Sequence, residues 1–303
     1  MNEEFFSQLQ TIVGKEQCLS EESMAAHTTF RVGGPAEYYV RPTTGQIQPV
    51  LALCREYGIP WHVIGNGSNL LVSDQGVRGL VLEIGKMASA ISTEGNCLYA
   101  QAGALLSQAA TFAAAHSLSG MEFAAGIPGS IGGAVTMNAG AYGGEIKQIL
   151  KSVTVLTDTG EEQNIPVESL DLSYRHSCIP SSHFIVLRAE FQLAPGAQQA
   201  IEAQMAALKE QRIAKQPLEY PSAGSTFKRP QGYFAGKLIQ DAGLRGCQIG
   251  GAQISEKHSG FLINKDHATA SDVWNLIRHV QSQVEEQFGV HLEPEVRCMG
   301  DFF

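Results

Sequence analysis

The densest cluster of glycines in the chain lies at residues 125–145, where the sequence reads AGIPGSIGGAVTMNAGAYGGE. Seven of these twenty-one residues are glycine. Glycine inside folded structure costs conformational entropy, so a dense cluster indicates tight turns or the close approach of another group. A flexible surface loop is the simplest interpretation, but Ile127, Ile131, Val135 and Met137 interrupt the glycines, where a solvated linker would carry polar residues. We therefore predict a packed loop that contacts a flat or anionic ligand.

Length and composition predict an ordinary globular protein. A chain of 303 residues is long enough for about two domains. Its hydrophobic content of 44% and charged content of 17% exclude a disordered chain. No uninterrupted apolar run reaches the ~20 residues that span a bilayer, and the opening MNEEFFSQLQ is acidic and carries no apolar signal segment. We expect a cytoplasmic protein that is a monomer and binds no membrane.

Charge and the metal-binding residue types narrow the function classes further. The formal net charge of -9 argues against general nucleic-acid binding, so any anionic ligand needs a specific cradle. The six cysteines are far apart and form no CxxC, and the nine histidines show no HExxH or similar spacing. We expect no metal site, and we expect the cysteines to be reduced and mostly buried.

Strand-like and helix-like runs alternate along the first third, an α+β or α/β pattern. Residues 105–118 and 199–215 read as helices, and the turn-prone QPLEYPSAGS that follows the second of them is the predicted domain boundary. Thr269 and Asp272 form a capping box. The helix that follows has apolar residues at helical spacing, which we predict to be core: Val273, Ile277, Val280, Val284 and Phe288.

Two glycine-rich stretches could hold phosphate. Gly65–Asn69, in IGNGSNLLV, follow a strand and could present successive N–H groups to an anion. This turn lacks the third glycine and the helix of a Rossmann fold, because LLVSDQGVRGLVL reads as strand, turn, strand. Gly126, Gly129 and Gly132 are spaced by three, which fits neither GxGxxG nor a P-loop. Each stretch taken alone is more typical of a structural turn.

Eight motifs taken together identify a family. They occur in this order: TTFRVGGPA (28–36), GNGSNLLV (65–72), the glycine-rich segment (125–145), SYRHS (173–177), AGSTFKRP (223–230), AGKLIQDAGLRG (235–246), IGGAQISEKHSGFLIN (250–264) and LEPEV (292–296). In order and spacing the chain resembles the UDP-N-acetylenolpyruvoylglucosamine reductases, MurB-type flavoenzymes of peptidoglycan precursor synthesis. The resemblance runs from about residue 28 to residue 296. It is to the shorter subtype, since 194–216 contains no tyrosine-bearing loop.

The resemblance implies the fold class and the cofactors. It implies an α+β chain with a two-part FAD-binding domain of the vanillyl-alcohol-oxidase (PCMH) type, followed by an α+β substrate-binding domain. The expected division is 1–84 and 85–214 for the two FAD-binding subdomains and 215–303 for the substrate-binding domain, with the last few residues able to return to the first subdomain. FAD is expected to be bound non-covalently, with NADPH as co-substrate and UDP-N-acetylglucosamine enolpyruvate as substrate.

The resemblance also implies the residues of the site. Arg175 matches the family's catalytic arginine, Ser225 its proton donor, and Glu295 a second acid or a group that polarises the substrate. Glu293 is the weaker alternative to Glu295. Lys215, Lys228 and Tyr174 are expected to contact the substrate, although Arg229 stands where many relatives carry Asn. The residues expected at FAD are Arg31, Gly33, Gly65, Asn66, Gly67, Ser68, Asn69, Gly126, Ile127, Pro128, Gly129, Ser130, Gly132 and Gly133.

Two other functions remain open at this point. A flavin oxidase of the same cofactor fold would act on an alcohol or a sugar, usually with a longer substrate domain. A non-catalytic flavin-binding or sugar-nucleotide-binding protein would carry the loops without turnover. The pair AGSTFK and LEPEV favours the reductase over the oxidase.

Overall fold

The computed structural model describes residues 2–302, which fold into two compact units. The first unit contains the residues up to Ser20, Tyr38–Asn66 and Gly79–Arg212. The second contains Glu21–Glu37, Gly67–Arg78 and the residues from Ile213 onward. Compactness does not assign a function to either unit, so the functional division 1–84, 85–214 and 215–303 stays a prediction.

Helices and strands alternate along the described residues. The helices are α1 Glu3–Val13, α2 Thr44–Tyr57, α3 Leu106–Ala115, α4 Ile131–Thr136, α5 Gln198–Lys215, α6 Ala235–Asp241 and α7 Ala270–Phe288. The strands are β1 Cys18–Ser23, β2 Pro35–Val40, β3 Trp61–Ile64, β4 Leu70–Val72, β5 Val77–Glu83, β6 Ile91–Glu94, β7 Cys97–Gln101, β8 Leu118–Ser119, β9 Gly140–Ala141, β10 Gly144–Glu145, β11 Leu150–Leu156, β12 Glu162–Pro166, β13 Ile185–Gln192, β14 Ala194–Pro195, β15 Gln248–Ile249, β16 Ala252–Ile254, β17 Leu262–Asn264 and β18 Arg297–Met299.

An antiparallel five-stranded sheet forms the centre of the first unit, in the order β12-β11-β13-β7-β6. Val153 lies opposite Ala189, and Ala189 lies opposite Ala100, so three buried side chains cross the sheet in one row. The alanine-rich α3 adds its own buried residues to the same core. It is shorter than the predicted helix at 105–118, because Ser117 has a φ of 57°, which a helix does not accommodate.

A second sheet has the order β1-β2-β5-β3, in which β3 runs parallel to β5 with Trp61 opposite Leu80. The glycine-rich residues from Gly65 follow the carboxyl end of β3 directly. The ends of parallel strands commonly carry ligand-binding loops. This strand therefore positions the first candidate phosphate-binding turn.

In the second unit, α7 packs beside the small sheet β15-β16-β17. The Thr269 hydroxyl accepts a hydrogen bond from Asp272 N at 3.0 Å, and Thr269 N donates to the Asp272 carboxylate at 2.9 Å, which confirms the capping box. Four of the five predicted core residues of this helix are buried, namely Val273, Ile277, Val280 and Val284. The prediction for Phe288 is wrong: it is the last helical residue, 38% exposed, and Gly289 ends the helix behind it.

The expectation for the cysteines has an outcome in the structure. All six cysteines are free, but only Cys18 and Cys54 are buried, so the expectation that most are buried is wrong. Cys97, Cys178 and Cys247 are half-buried, and Cys298, in the short strand β18, is exposed. Among residues 2–302, no helix is long and apolar enough to cross a membrane, and there is no group of three or more His, Cys, Asp or Glu residues arranged to hold a metal ion.

Candidate active site

The glycine-rich loop at 125–133 is fixed to the segment before α3. Leu106 N donates to Gly129 O at 2.9 Å, and Ile131 N donates to Ala104 O at 2.8 Å. Gly132 N adds a third bond to a neighbouring carbonyl, at 2.8 Å. The prediction of a packed loop, rather than a flexible one, is therefore confirmed.

The structure also shows what fills the space at two of these glycines. A Cβ on Gly126 would lie 2.8 Å from Nη1 of Arg212, and a Cβ on Gly132 would lie 3.0 Å from Cβ of Ala102. At Gly126 and Gly132, packing against other side chains of this chain therefore favours glycine on its own. The contact of these two residues with FAD stays a prediction.

The turn after β3 packs against the same loop. A Cβ on Gly65 would collide with the hydroxyl of Ser130, and the Asn66 amide donates to Pro128 O at 2.5 Å. The structure thus brings together two segments that are far apart in sequence but were both predicted to bind FAD. Of these residues Asn66, Gly126, Pro128 and Gly133 are exposed, Gly65, Ile127, Gly129 and Gly132 are half-buried, and Ser130 is buried.

The second unit holds the rest of the predicted cofactor residues. Gly67 is buried with a φ of 60°, and a Cβ there would collide with the His27 carbonyl, so only glycine fits. Its carbonyl accepts a hydrogen bond from Thr29 N at 3.2 Å. This bond ties the turn to the segment that carries the exposed Arg31, whose φ is 55°. A Cβ on Gly33 would lie 2.9 Å from Cβ of Val72.

These residues suit the polar part of FAD. The turn Gly65–Asn69 offers amide, hydroxyl and backbone N–H donors and no carboxylate, and Arg31 adds a cation on the segment bonded to Gly67. Neutral donors at a left-handed turn, together with an arginine, form the donor set that a pyrophosphate requires. Asn69 also has a structural role, because its amide donates to Glu295 O at 3.1 Å. The residues present therefore fit the cofactor.

Arg175 lies in a tight turn of the first unit. Ser173 N donates to His176 O at 3.2 Å and His176 N donates back to Ser173 O at 3.1 Å, which closes the turn around Arg175 at a φ of 56°. The half-buried guanidinium lies over the ring of Tyr174, 5.0 Å from its centroid. The exposed Tyr174 ring and the Arg175 cation thus form a single stacked unit.

Asn138 was missed by the sequence analysis, although it holds this turn. It is 1% exposed, and its amide donates to Ser173 O and to the Glu145 carboxylate, each at 3.1 Å. Its side-chain oxygen accepts from Lys147 N at 2.9 Å. One buried side chain therefore connects the glycine-rich segment to the Arg175 turn. A polar residue among glycines and alanines in MNAGAYGG was the available signal.

Ser225 and Glu295 lie on neighbouring segments of the second unit. Ser225 pairs with Phe261 in an isolated antiparallel bridge. Glu295 N donates to Thr226 O at 2.8 Å, so the Glu295 backbone is bonded to the residue that follows Ser225. Ser225 is exposed and Glu295 is half-buried. The structure therefore brings together the two segments that carry Ser225 and Glu295, which are far apart in sequence.

The remaining predicted substrate residues are cationic. Lys228 Nζ lies 2.5 Å from Oε1 of Glu293, so the carboxylate of Glu293 is engaged by a lysine, and Glu293 is the weaker candidate for catalysis. Lys215 is exposed at the end of α5. Arg229 lies over the ring of the exposed Phe234, 4.4 Å from its centroid.

His258 is a second residue that the sequence analysis missed. Its Nδ1 accepts a hydrogen bond from Gly260 N at 3.1 Å, which places the proton of the neutral ring on Nε2. Burial lowers the pKa of His258, and a hydrogen bond to its own backbone acts in the opposite direction. Its ring meets the edge of Phe261, the bridge partner of Ser225, at 5.0 Å. The signal was the single histidine in SEKHSGF.

Comparison with known proteins defines the class first. Residues 36–165 match a family model described as an FAD binding domain. A solved alkyldihydroxyacetonephosphate synthase shares the fold with a TM-score of 0.51 at 14% identity, over 64% of this chain and 41% of that one. The chain is a flavoprotein, and the predicted α+β fold class with a FAD-binding domain of the vanillyl-alcohol-oxidase (PCMH) type is confirmed.

The particular family follows from closer relatives. Residues 216–299 match the C-terminal domain of UDP-N-acetylenolpyruvoylglucosamine reductase. A protein of that name from Agathobacter rectalis is 53% identical over 100% of both chains. A solved reductase of this kind from Thermus caldophilus has a TM-score of 0.80 at 35% identity, over 94% of this chain and 98% of that one. The chain belongs to the UDP-N-acetylenolpyruvoylglucosamine reductase family and is an oxidoreductase.

Proposed function

We propose that this chain reduces the enolpyruvyl ether of UDP-N-acetylglucosamine enolpyruvate to the lactyl ether of UDP-N-acetylmuramate, a step of peptidoglycan precursor synthesis. NADPH is the reductant, and the bound FAD supplies a hydride from N5 to the methylene carbon of the substrate. The observation that carries the proposal is the pairing of the Ser225 and Glu295 segments in a chain with an FAD-binding domain. That pairing supports a role for both residues, because it holds the segments of a candidate proton donor and a candidate carboxylate beside each other.

The chain's part in holding FAD falls to its loops. In the first unit, the loop at 126–133 and Gly65 with Asn66 would meet the cofactor, and their mutual bonds fix that surface before binding. In the second unit, Arg31, Gly33 and Gly67–Asn69 would meet its phosphates. The donor set is neutral apart from Arg31, which matches a non-covalently bound dianionic pyrophosphate.

Arg175 stabilises charge on the substrate. When a hydride reaches the methylene carbon, negative charge develops on the adjacent carbon and its carboxylate. A guanidinium already held in place stabilises that charge without reorganisation. The Asn138 hydrogen bond to Ser173 and the stacking on Tyr174 fix the guanidinium in advance.

Ser225 delivers the proton to carbon. A serine hydroxyl is a weak acid in water, but it can protonate a strongly basic carbanion at a site from which water is excluded. Glu295 polarises the substrate or acts as a second acid. Lys215 and Lys228 supply positive charge for the diphosphate, and Tyr174 supplies a flat surface.

A coupled assay tests the proposed reaction. FAD-loaded protein should oxidise NADPH only when the enolpyruvyl sugar nucleotide is present, and mass spectrometry should show a product heavier by two hydrogen atoms. Oxygen consumption with an alcohol or sugar, and no NADPH oxidation, would instead identify a flavin oxidase. Binding of FAD and sugar nucleotide without either reaction would identify a passive binder. We further propose that the protein is cytoplasmic and monomeric. Gel filtration of the loaded protein checks the monomeric state.

A further inference from the structure

The segment that carries Glu295 is hydrogen-bonded on both sides within the second unit. On one side, Glu295 N donates to Thr226 O at 2.8 Å. On the other side, Glu295 O accepts a hydrogen bond at 3.1 Å from the side-chain amide of Asn69, which lies 226 positions earlier in the chain. Arg297 N also donates to Asn69 O, at 2.9 Å. Asn69 therefore holds this segment through its side chain and its backbone together.

The side chain of Asn69 takes the place of a backbone donor at the end of a strand pair. β4 and β18 run parallel, beginning with Leu70 opposite Arg297. If this ladder continued toward the turn at 67–69, the next donor to Glu295 O would be the backbone N–H of Asn69. The side-chain amide donates instead, and Asn69 N donates to no group among residues 2–302. Asn69 therefore keeps a backbone N–H for a ligand while its side chain holds Glu295.

We propose that Asn69 is a positioning residue for Glu295 and that it couples the position of Glu295 to the bound cofactor. Its unused N–H lies in the turn whose donors suit the pyrophosphate of FAD, and its side chain fixes the Glu295 peptide group. A ligand that orders the turn at 67–69 thereby orders the segment of Glu295, and this coupling is reciprocal. The inference rests on the proposed reaction and on the role of Glu295 in it.

Removal of the Asn69 amide should affect the reaction with the sugar nucleotide more than the fold. Glu295 is half-buried, so water can replace the lost donor in Asn69→Ala, and the melting temperature should change little. At saturating FAD, reoxidation of the pre-reduced flavin should slow by about ten- to hundredfold, because a misplacement of about 1 Å can cost about a hundredfold in rate. Asn69→Asp, whose carboxylate has the same shape but donates no hydrogen bond, should show the same loss.

Ser73→Ala is the matched control, because Ser73 lies at the other end of the same strand pair. Its hydroxyl donates to Asp301 O at 2.5 Å, so it also joins a side chain to a distant main-chain carbonyl. Ser73→Ala should lower the melting temperature at least as much as Asn69→Ala and leave the reoxidation rate unchanged. Calorimetry and stopped-flow absorbance measure the two quantities. A normal reoxidation rate in Asn69→Ala, or an equal slowing in Ser73→Ala, overturns the proposal.

A double-mutant cycle separates positioning of Glu295 from an independent effect of Asn69. Glu295→Gln should slow reoxidation by itself. Adding Asn69→Ala to that variant should then change the rate by less than about twofold, because both substitutions act through one group. Effects that multiply would overturn the proposal, as would a normal rate in Glu295→Gln.

Hydrogen exchange followed by mass spectrometry gives a readout that needs no turnover. In the wild type, FAD should slow amide exchange at 293–297. Asn69→Ala should lose this protection, and Ser73→Ala should keep it. Protection that persists in Asn69→Ala, or that FAD fails to produce in the wild type, overturns the coupling even if a variant does not fold. A wild type that shows the protection but whose flavin the sugar nucleotide never reoxidises would refute the proposed reaction instead.

Discussion

Three residues of the candidate site have left-handed backbones that non-glycine residues rarely adopt. Arg31, Asn138 and Arg175 have φ values between 41° and 56°. Such conformations cost free energy and persist only where the surroundings enforce them. At Arg175 two contacts hold this conformation: the Asn138 amide donates a hydrogen bond to Ser173 O, and Ser173 and His176 are joined by backbone hydrogen bonds. The strained backbone of Arg175 therefore helps to set the direction of its guanidinium.

Removal of the Arg175 charge should affect only the half of the reaction that involves the sugar nucleotide. Arg175→Ala should slow the reoxidation of flavin by the enolpyruvyl substrate by about 10²–10³-fold, the usual loss when one group that stabilises an oxyanion is removed. Reduction of the flavin by NADPH should remain near normal. Stopped-flow absorbance separates the two half-reactions. Normal reoxidation by substrate would remove Arg175 from the mechanism.

Ser225→Ala deletes one hydroxyl of an exposed residue, so folding and FAD binding should persist. Product formation should fall by about 10²–10⁴-fold, the contribution of a placed proton donor. Ser225→Cys should restore part of the rate, because a thiol is the stronger acid. Single-turnover mixing of pre-reduced protein with substrate in deuterated water measures both the rate and the deuterium at the new methine carbon. A near-normal rate in the alanine variant would make Glu295, through a water, the donor.

Some residues of the candidate site can be identified from sequence motifs, whereas others can be recognised only from their contacts in the structure. Arg175, Ser225 and Glu295 follow from the short motifs SYRHS, AGSTFK and LEPEV, and their roles stay proposals. Arg212 lies in an ordinary helical sequence, and nothing in its neighbours indicates that it fills the space at Gly126. The glycines themselves were interpreted as room for a ligand because sequence cannot say which atoms approach them.

Among the structural elements, the turn at 173–176 depends on a single buried side chain. Asn138→Ala would leave Ser173 O, Lys147 N and the Glu145 carboxylate without this partner. Ser173 O keeps its hydrogen bond from His176 N, and the loss of each hydrogen bond to Asn138 costs about 0.5–1.5 kcal/mol net. We expect a lower melting temperature and a raised KM for the sugar nucleotide, with FAD retained.

The control for this variant is Asn164→Ala, an exposed asparagine on β12 whose amide donates to Ser152 at 3.4 Å. It should change neither quantity. Calorimetry and steady-state kinetics provide the comparison. Equal effects of the two substitutions would show that Asn138 has no special part in positioning Arg175.

The turn at 255–261 should make stability depend on pH. Because burial lowers the pKa of His258 in the folded state, the unfolded chain binds the proton more readily. The contribution of His258 is therefore complete above its ordinary pKa of about 6.5 and is lost as the pH falls toward the lower folded pKa. His258→Gln should lose less stability than the wild type between pH ~7.5 and pH ~5.5, as measured by urea unfolding. His62 shows the same direction and stays in both proteins. An equal loss of stability in His258→Gln and in the wild type over this pH range would contradict the role given to His258.

The sequence correctly predicted the helices that have a long periodic pattern of residues, but it failed at the ends of helices. The helix predicted at 199–215 is α5, and the capping box at Thr269 starts α7 as expected. The helix predicted at 105–118 ends early, and Phe288 is exposed, because a left-handed residue or a helix end interrupts the pattern locally. The residue at which a helix ends depends on the backbone conformation of one residue. The spacing of apolar residues over a whole helix does not reveal that conformation.

At the scale of the whole molecule, the second unit is assembled from distant parts of the chain. β4 runs parallel to β18, with Leu70 opposite Arg297, and the Asp74 carboxylate accepts hydrogen bonds from Ala270 N and Ser271 N at the start of α7. Contacts between residues about two hundred positions apart leave no pattern in the local sequence. The sequence therefore indicated the motifs and the fold class, whereas the grouping of 67–78 with the C-terminal residues required the structure.

The central claim is that this flavoprotein passes electrons from NADPH to an enolpyruvyl sugar nucleotide. Anaerobic stopped-flow absorbance of the FAD-loaded protein tests it most directly. NADPH should bleach the flavin's visible band, and subsequent mixing with UDP-N-acetylglucosamine enolpyruvate should restore that band in proportion to the substrate added. A band that NADPH bleaches but the enolpyruvyl substrate does not restore, while oxygen restores it rapidly, would contradict the account.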